Sequence, residues 1–86
     1  MRVLAYERFH KSYRHLPQSI QRKVDKQLSL LVANFRHPSL QVKRIKGASG
    51  VWEARVDLHY RMTFETAGDA IFLRVVGNHD DVLRNP

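Results

Sequence analysis

The residues of this chain that could do chemistry are a set of cations and one late histidine. Arg55, Arg61 and Arg74 fall in three successive strand-like segments, with Lys43, Arg44 and Lys46 a short way before them. Arginine presents a planar fork of donors that matches phosphate oxygens. His79 stands in the run Gly77-Asn78-His79-Asp80-Asp81, after the last of those segments. Histidine titrates near neutrality and serves as general acid or base. Together these types suit cleavage of RNA through its own 2′-hydroxyl. A base takes the hydroxyl proton, cations stabilise the crowded phosphate, and an acid protonates the leaving 5′-oxygen. The scheme calls for no metal or other cofactor.

Each group also has a plainer reading. The arginines would otherwise lie on a solvated outer sheet face, where Glu53, Asp57, Glu65 and Thr63 mix the polarity. His79 would otherwise be a surface residue in a C-terminal turn. Other chemistries find little support. His59, His79, Asp80 and Asp81 lack metal-ligand spacing and lie on different elements. There is no cysteine, no glycine-rich phosphate loop and no serine nucleophile motif.

The elements that must position these residues follow from hydrophobic spacing. Arg2 to Tyr6 reads as a short strand. Phe9, Tyr13 and Leu16 share one helical face in the segment Glu7 to Leu16. Pro17 suits the first turn of a second helix. Ile20, Val24, Leu28, Leu31 and Phe35 then recur at three- and four-residue steps. The spacing predicts an amphipathic helix of about 17 residues, ended by Asn34 to Pro38. Val42 to Lys46 is a short basic strand, and Gly47, Ser49 and Gly50 mark a turn.

Val51 to Leu58 and Tyr60 to Glu65 alternate in polarity and form a hairpin about Asp57 to His59. Ala70 to Val76 is a central strand, and Gly77 to Pro86 a polar tail. The order predicts an α+β fold, an antiparallel sheet with an N-terminal strand and two helices packed on one face. Trp52, Val56, Met62 and Phe64 should then face the helices, and by alternation Arg55 and Arg61 face away. Ile71, Leu73 and Val75 share a parity, which sends Arg74 to the same uncovered face. Trp52, Tyr6, Phe9 and Tyr13 read as core.

Composition sets the outer limits. The chain has 86 residues, enough for one domain spanning 1–86. A chain of this size buries roughly 60–65% of its surface, so a stabilising partner is plausible. Fifteen Lys and Arg against eight Asp and Glu give a net charge of +7, and five His are held in reserve. Such an excess draws polyanions: RNA, DNA, an acidic protein or an anionic membrane. The N-terminus lacks the apolar stretch of a signal peptide, and no run approaches a membrane span. A cytoplasmic protein with no membrane association is expected.

Several segments, in order, carry a resemblance. They are Val42-Lys43-Arg44-Ile45-Lys46-Gly47, Val51-Trp52-Glu53-Ala54-Arg55-Val56, Tyr60-Arg61 with Met62-Thr63-Phe64, and Val76-Gly77-Asn78-His79-Asp80. With the order strand, helix, helix, strands, they resemble the RelE/ParE toxin superfamily across nearly the whole chain. The Gly-x-His ending looks like the RelE/YafQ-like mRNA interferases.

The resemblance implies a toxin of a type II toxin–antitoxin system, most simply a ribosome-dependent mRNA endonuclease with no cofactor. It implies that Arg61 holds the scissile phosphate, that Arg55 assists, and that His79 is the catalytic acid or base. Lys43, Arg44, Lys46 and Arg74 would bind RNA. The implied partners are a cognate antitoxin, mRNA and the ribosome. Two departures stand out: Glu53 occupies a position where some members have a second basic residue, and no tyrosine follows His79. A ParE-like gyrase inhibitor and an inactive binder of antitoxin or nucleic acid are the alternatives.

Overall fold

The computed structural model describes residues 2–86. Strand β1 is Arg2–Ala5, helix α1 is Glu7–Arg14 and helix α2 is Gln18–Ala33. A single 3-10 turn at Pro38–Leu40 leads to β2, Lys43–Arg44. Strands β3 (Trp52–Arg55), β4 (Tyr60–Ala67) and β5 (Ala70–Asn78) follow, and a short helix α3, His79–Arg84, comes last. The five strands form one sheet in the order β1-β5-β4-β3-β2. The α+β architecture is the one the spacing predicts. Two features differ. β1 pairs with β5 in parallel, so the sheet is mixed rather than antiparallel. The polar tail, to which the spacing assigns no element, contains α3, capped by Asn78, whose side-chain oxygen accepts from Asp80 N–H at 3.0 Å.

The core lies between the sheet and the first two helices. Phe9, Val24 and Leu31 from the helices meet Ala54, Val56, Met62, Phe64, Ile71, Leu73 and Val76 from the sheet. Trp52 and Tyr13 pack against this cluster half-buried. Tyr6 does not join it. It is exposed at the edge, its ring 6.2 Å from that of Phe72. Gln27 is buried on α2 and donates to Arg55 O at 2.9 Å, which pins the end of β3 to the helix. Glycine is required at Gly47, with φ of 81°, because the β2–β3 turn passes through left-handed backbone there.

The alternation in β5 breaks once. A register shift at Thr63/Phe64 pairs Thr63 with Val75 but Phe64 with Leu73, leaving Arg74 as the extra residue. Downstream of the bulge the parity reverses. Val76, not Val75, therefore enters the core cluster, and Val75 is buried on the other face beside Thr63. Ser12 Oγ accepts from Val76 N–H at 3.1 Å, fastening α1 to this point of the sheet.

Candidate nucleic-acid interface

Arg55 and Arg61 are direct cross-strand partners on β3 and β4. Their neighbours Ala54 and Met62 are core residues, so both arginines point to the face away from α1 and α2. Like charges directly opposite one another destabilise a sheet. Here the repulsion is offset locally. Arg61 is only 13% exposed, and its Nε lies 3.8 Å from the Glu53 carboxylate. Its Nη1 donates to the carbonyls of Asp57 at 2.6 Å and Tyr60 at 2.9 Å. Arg61 thus closes the β3–β4 turn as well as presenting charge. Arg55 Nε is buried without a hydrogen-bond partner, the one such side-chain atom among the described residues.

Glu53 was singled out in the sequence as a departure in residue type. In the structure it is a buried carboxylate that also lies 3.7 Å from Lys43 Nζ. An acid placed by alternation on a face otherwise rich in arginine was the signal for this positioning role.

His79 opens α3. Its N–H donates to His59 O at 2.8 Å, which ties the start of the helix to the β3–β4 turn. As a result Arg61 and His79 line one shallow polar cavity of about 250 Å³, together with Leu58, His59, Asn78 and Asp80. His79 is 42% exposed, and Nδ1 lies 3.2 Å from Asp80 Oδ1. When Nδ1 donates to that carboxylate, Nε2 presents a lone pair for a proton. Among the described residues, no group of three or more His, Cys, Asp or Glu side chains lies close enough to hold a metal ion.

The other cations fall elsewhere. Arg74 does reach the face opposite the helices, but its groups are taken. It donates to the Glu65 carboxylate and, at 3.0 Å, to Pro86 O, and it lies over the Tyr6 ring at 5.9 Å. Thr63 Oγ1 donates to the same carbonyl at 3.2 Å, and Arg8 donates to Asn85 O. The chain after α3 therefore lies across this face, and Val82 is buried beneath it. The face is partly covered, not open. Lys43 is 70% exposed on the same side as Glu53. Arg44, one residue on, pairs with Trp52 and belongs to the opposite face. Lys46 is exposed in the turn after β2. The six cations thus do not form one patch.

The turn that carries Arg61 has its own electrostatic support. Burial alone would raise the pKa of Asp57. The hydrogen bond from Lys23 Nζ at 3.0 Å and those from His59 and Tyr60 N–H outweigh that and hold it below the ordinary 3.8. A lowered folded-state pKa means that ionised Asp57 stabilises the fold above its ordinary pKa. That contribution is lost as the pH falls through the lowered value. Asp57→Ala is therefore expected to lower stability most at neutral pH, with the gap to the unaltered chain closing between about pH 5 and pH 2. Urea denaturation across that range checks it; a pH-independent gap would mean that the charge of Asp57 does not act.

Among solved structures, a chain of the RelB–RelE antitoxin–toxin complex from Methanococcus jannaschii matches at 25% identity and a TM-score of 0.75, over 96% of this chain and 99% of that one. The YoeB/ParE toxin from Agrobacterium tumefaciens matches at 13% identity and 0.77, over 92% and 99%. YafQ from E. coli strain BL21(DE3) matches at 15% identity and 0.75, over 95% and 98%. No protein-family model matches the sequence. No curated protein matches it either. The chain has the fold of the RelE/ParE toxin superfamily, and its structural neighbours are toxins of type II toxin–antitoxin systems.

Proposed function

We propose that this protein is a toxin of a type II toxin–antitoxin system that cleaves mRNA on the ribosome, in the cytoplasm, as a single domain without a metal. The observation that carries the reading is the imidazole of His79 beside Arg61 in one polar cavity, with Arg55 the cross-strand partner of Arg61. An RNA phosphate would relieve the cross-strand repulsion between the two guanidinium groups.

In this scheme the 2′-oxygen attacks the neighbouring phosphorus, and the bond from phosphorus to the 5′-oxygen breaks. The products are a 2′,3′-cyclic phosphate and a free 5′-hydroxyl. His79 Nε2 takes the 2′-proton or supplies one to the leaving oxygen. Arg61 and Arg55 stabilise the charge on phosphorus, with Glu53 holding Arg61 in place. Lys43 and Lys46 bind RNA backbone nearby. Arg74 acts chiefly as a tether for the chain after α3. The partner is an antitoxin with acidic character where it meets the basic face.

Inducible expression in bacteria with mapping of mRNA 5′ ends tests the reading. Growth arrest with new cuts in translated message is expected. Arrest with intact mRNA and a DNA-damage response would instead assign gyrase inhibition, and no arrest would assign an inactive binder.

A further inference from the structure

A second cleft lies on the helix-side face at the far end of the sheet, away from His79. It measures about 420 Å³, and Phe35, Arg36, His37, Gln41, Val42 and Trp52 are among its walls. That volume is within the range of sites that hold small molecules. Two guanidinium groups are laid against its two aromatic rings. Arg44 lies over Trp52 at 4.9 Å, and Arg36 over Phe35 at 5.6 Å. No carboxylate lines the cleft. Neither arginine pairs with a carboxylate among the described residues. Arg36 and Arg44 are exposed, whereas Trp52 is half-buried with core beneath it.

We infer that the Arg44–Trp52 and Arg36–Phe35 stacks form a base-stacking site for an unpaired nucleotide of single-stranded RNA. The argument is one of shape and order. Trp52 lines the cleft with core beneath it and the Arg44 guanidinium lies over its ring, so indole and guanidinium are both offered to a base. A guanidinium held on an indole has already lost much of its rotamer freedom, so binding to it costs less entropy. Arg planes and aromatic rings are the surfaces on which unstacked bases lie, while the charge attracts the phosphates alongside. An acidic peptide would engage the donor edges of Arg36 and Arg44 but leave the aromatic faces of Trp52 and Phe35 unused. The site is on the opposite face of the sheet from His79 and extends RNA contact around the β2 edge. It rests on RNA binding but not on cleavage.

Trp52 is the chain's sole tryptophan, so its fluorescence reports the site directly. The His79→Ala chain, chosen to slow any cleavage, is titrated with oligoadenylate of about eight nucleotides at fixed low salt. Saturable quenching is expected. Arg44→Lys keeps the charge and loses the plane, and is expected to weaken binding about 5- to 100-fold. Arg44 is exposed, so the variant retains the fold, which circular dichroism verifies. An abasic strand of the same length should bind weakly and leave Trp52 unquenched. Equal quenching by the abasic strand, unchanged affinity in Arg44→Lys, or no quenching at all overturns the inference. Polyglutamate that quenches as strongly, with the same loss in Arg44→Lys, overturns it in favour of an acidic protein segment. Because the readout is binding, failure here leaves the cleavage reading standing, and loss of cleavage leaves this one standing.

Discussion

Purified His79→Ala protein is expected to cleave ribosome-bound mRNA about 10²–10⁴-fold more slowly than the unaltered chain, the range a positioned acid or base contributes. The reason lies in the cavity it shares with Arg61. Arg61 there can bind and stabilise a phosphate, but it cannot move a proton at neutral pH. His79 is the group of that cavity placed at the start of α3 by a backbone bond to His59 O at 2.8 Å. That bond uses the N–H of residue 79, so alanine keeps it. Alanine is also a good helix former. The imidazole makes one side-chain contact, to the exposed Asp80, so its loss is expected to leave the thermal midpoint nearly unchanged. A variant that folds, binds RNA and cuts within about threefold of the unaltered rate would remove His79 from the reaction, since even weak acid–base catalysis exceeds that factor. His59 lines the same cavity and is the control: its backbone carbonyl, not its ring, holds His79, so His59→Ala is expected to act far less.

Phe64→Ala is expected to cost about 3–5 kcal/mol of folding stability. Phe64 is 1% exposed and sits at the bulge, paired with Leu73 on one side and Trp52 on the other. Removing its ring takes apolar area from water-free packing and leaves a cavity that β4, held by a strand on each side, cannot collapse to fill. A domain of this length has a total stability of roughly 4–13 kcal/mol, so the change consumes a large part of it. The thermal midpoint should fall by about 15–30 °C. Calorimetry measures this. Leu58→Ala, at an exposed position of the β3–β4 turn, is the comparison and should stay within about 0.5 kcal/mol. A loss below about 1 kcal/mol in Phe64→Ala would contradict the tight packing seen around the bulge.

Stability and chemistry meet at Arg61. The same side chain closes the turn, balances Glu53 and faces the cavity of His79. Its removal would strand a buried carboxylate and free two turn carbonyls, so loss of activity in Arg61→Ala mixes both causes. His79 separates them, because it carries the proposed chemistry and little of the packing.

By itself, the sequence determined the element order, the amphipathic α2, the hairpin about Asp57 and the placing of Arg55 and Arg61 on the face away from the helices. All of these follow from local spacing, with a period of about 3.6 in a helix and 2 in a strand. Tyr6 escaped that reading because it follows β1 as the residue before α1, with its ring beside Phe72 and Arg74 rather than under the helices. The parity of Val75 and Val76 was also out of reach. It depends on one extra residue, Arg74, inserted opposite β4, and a bulge is a property of the pairing of two strands. The separation of Arg44 from Lys43 was legible in alternation alone, but its consequence was not. Only the tertiary structure brings Phe35 at the end of α2 beside Trp52 on β3. The same holds for the tail. Its residues read only as a polar tail, yet Val82 packs down, Asn78 caps α3, and the carbonyls of Asn85 and Pro86 find Arg8, Arg74 and Thr63. Those partners lie far away along the chain, and no local period encodes a contact that long-range packing creates.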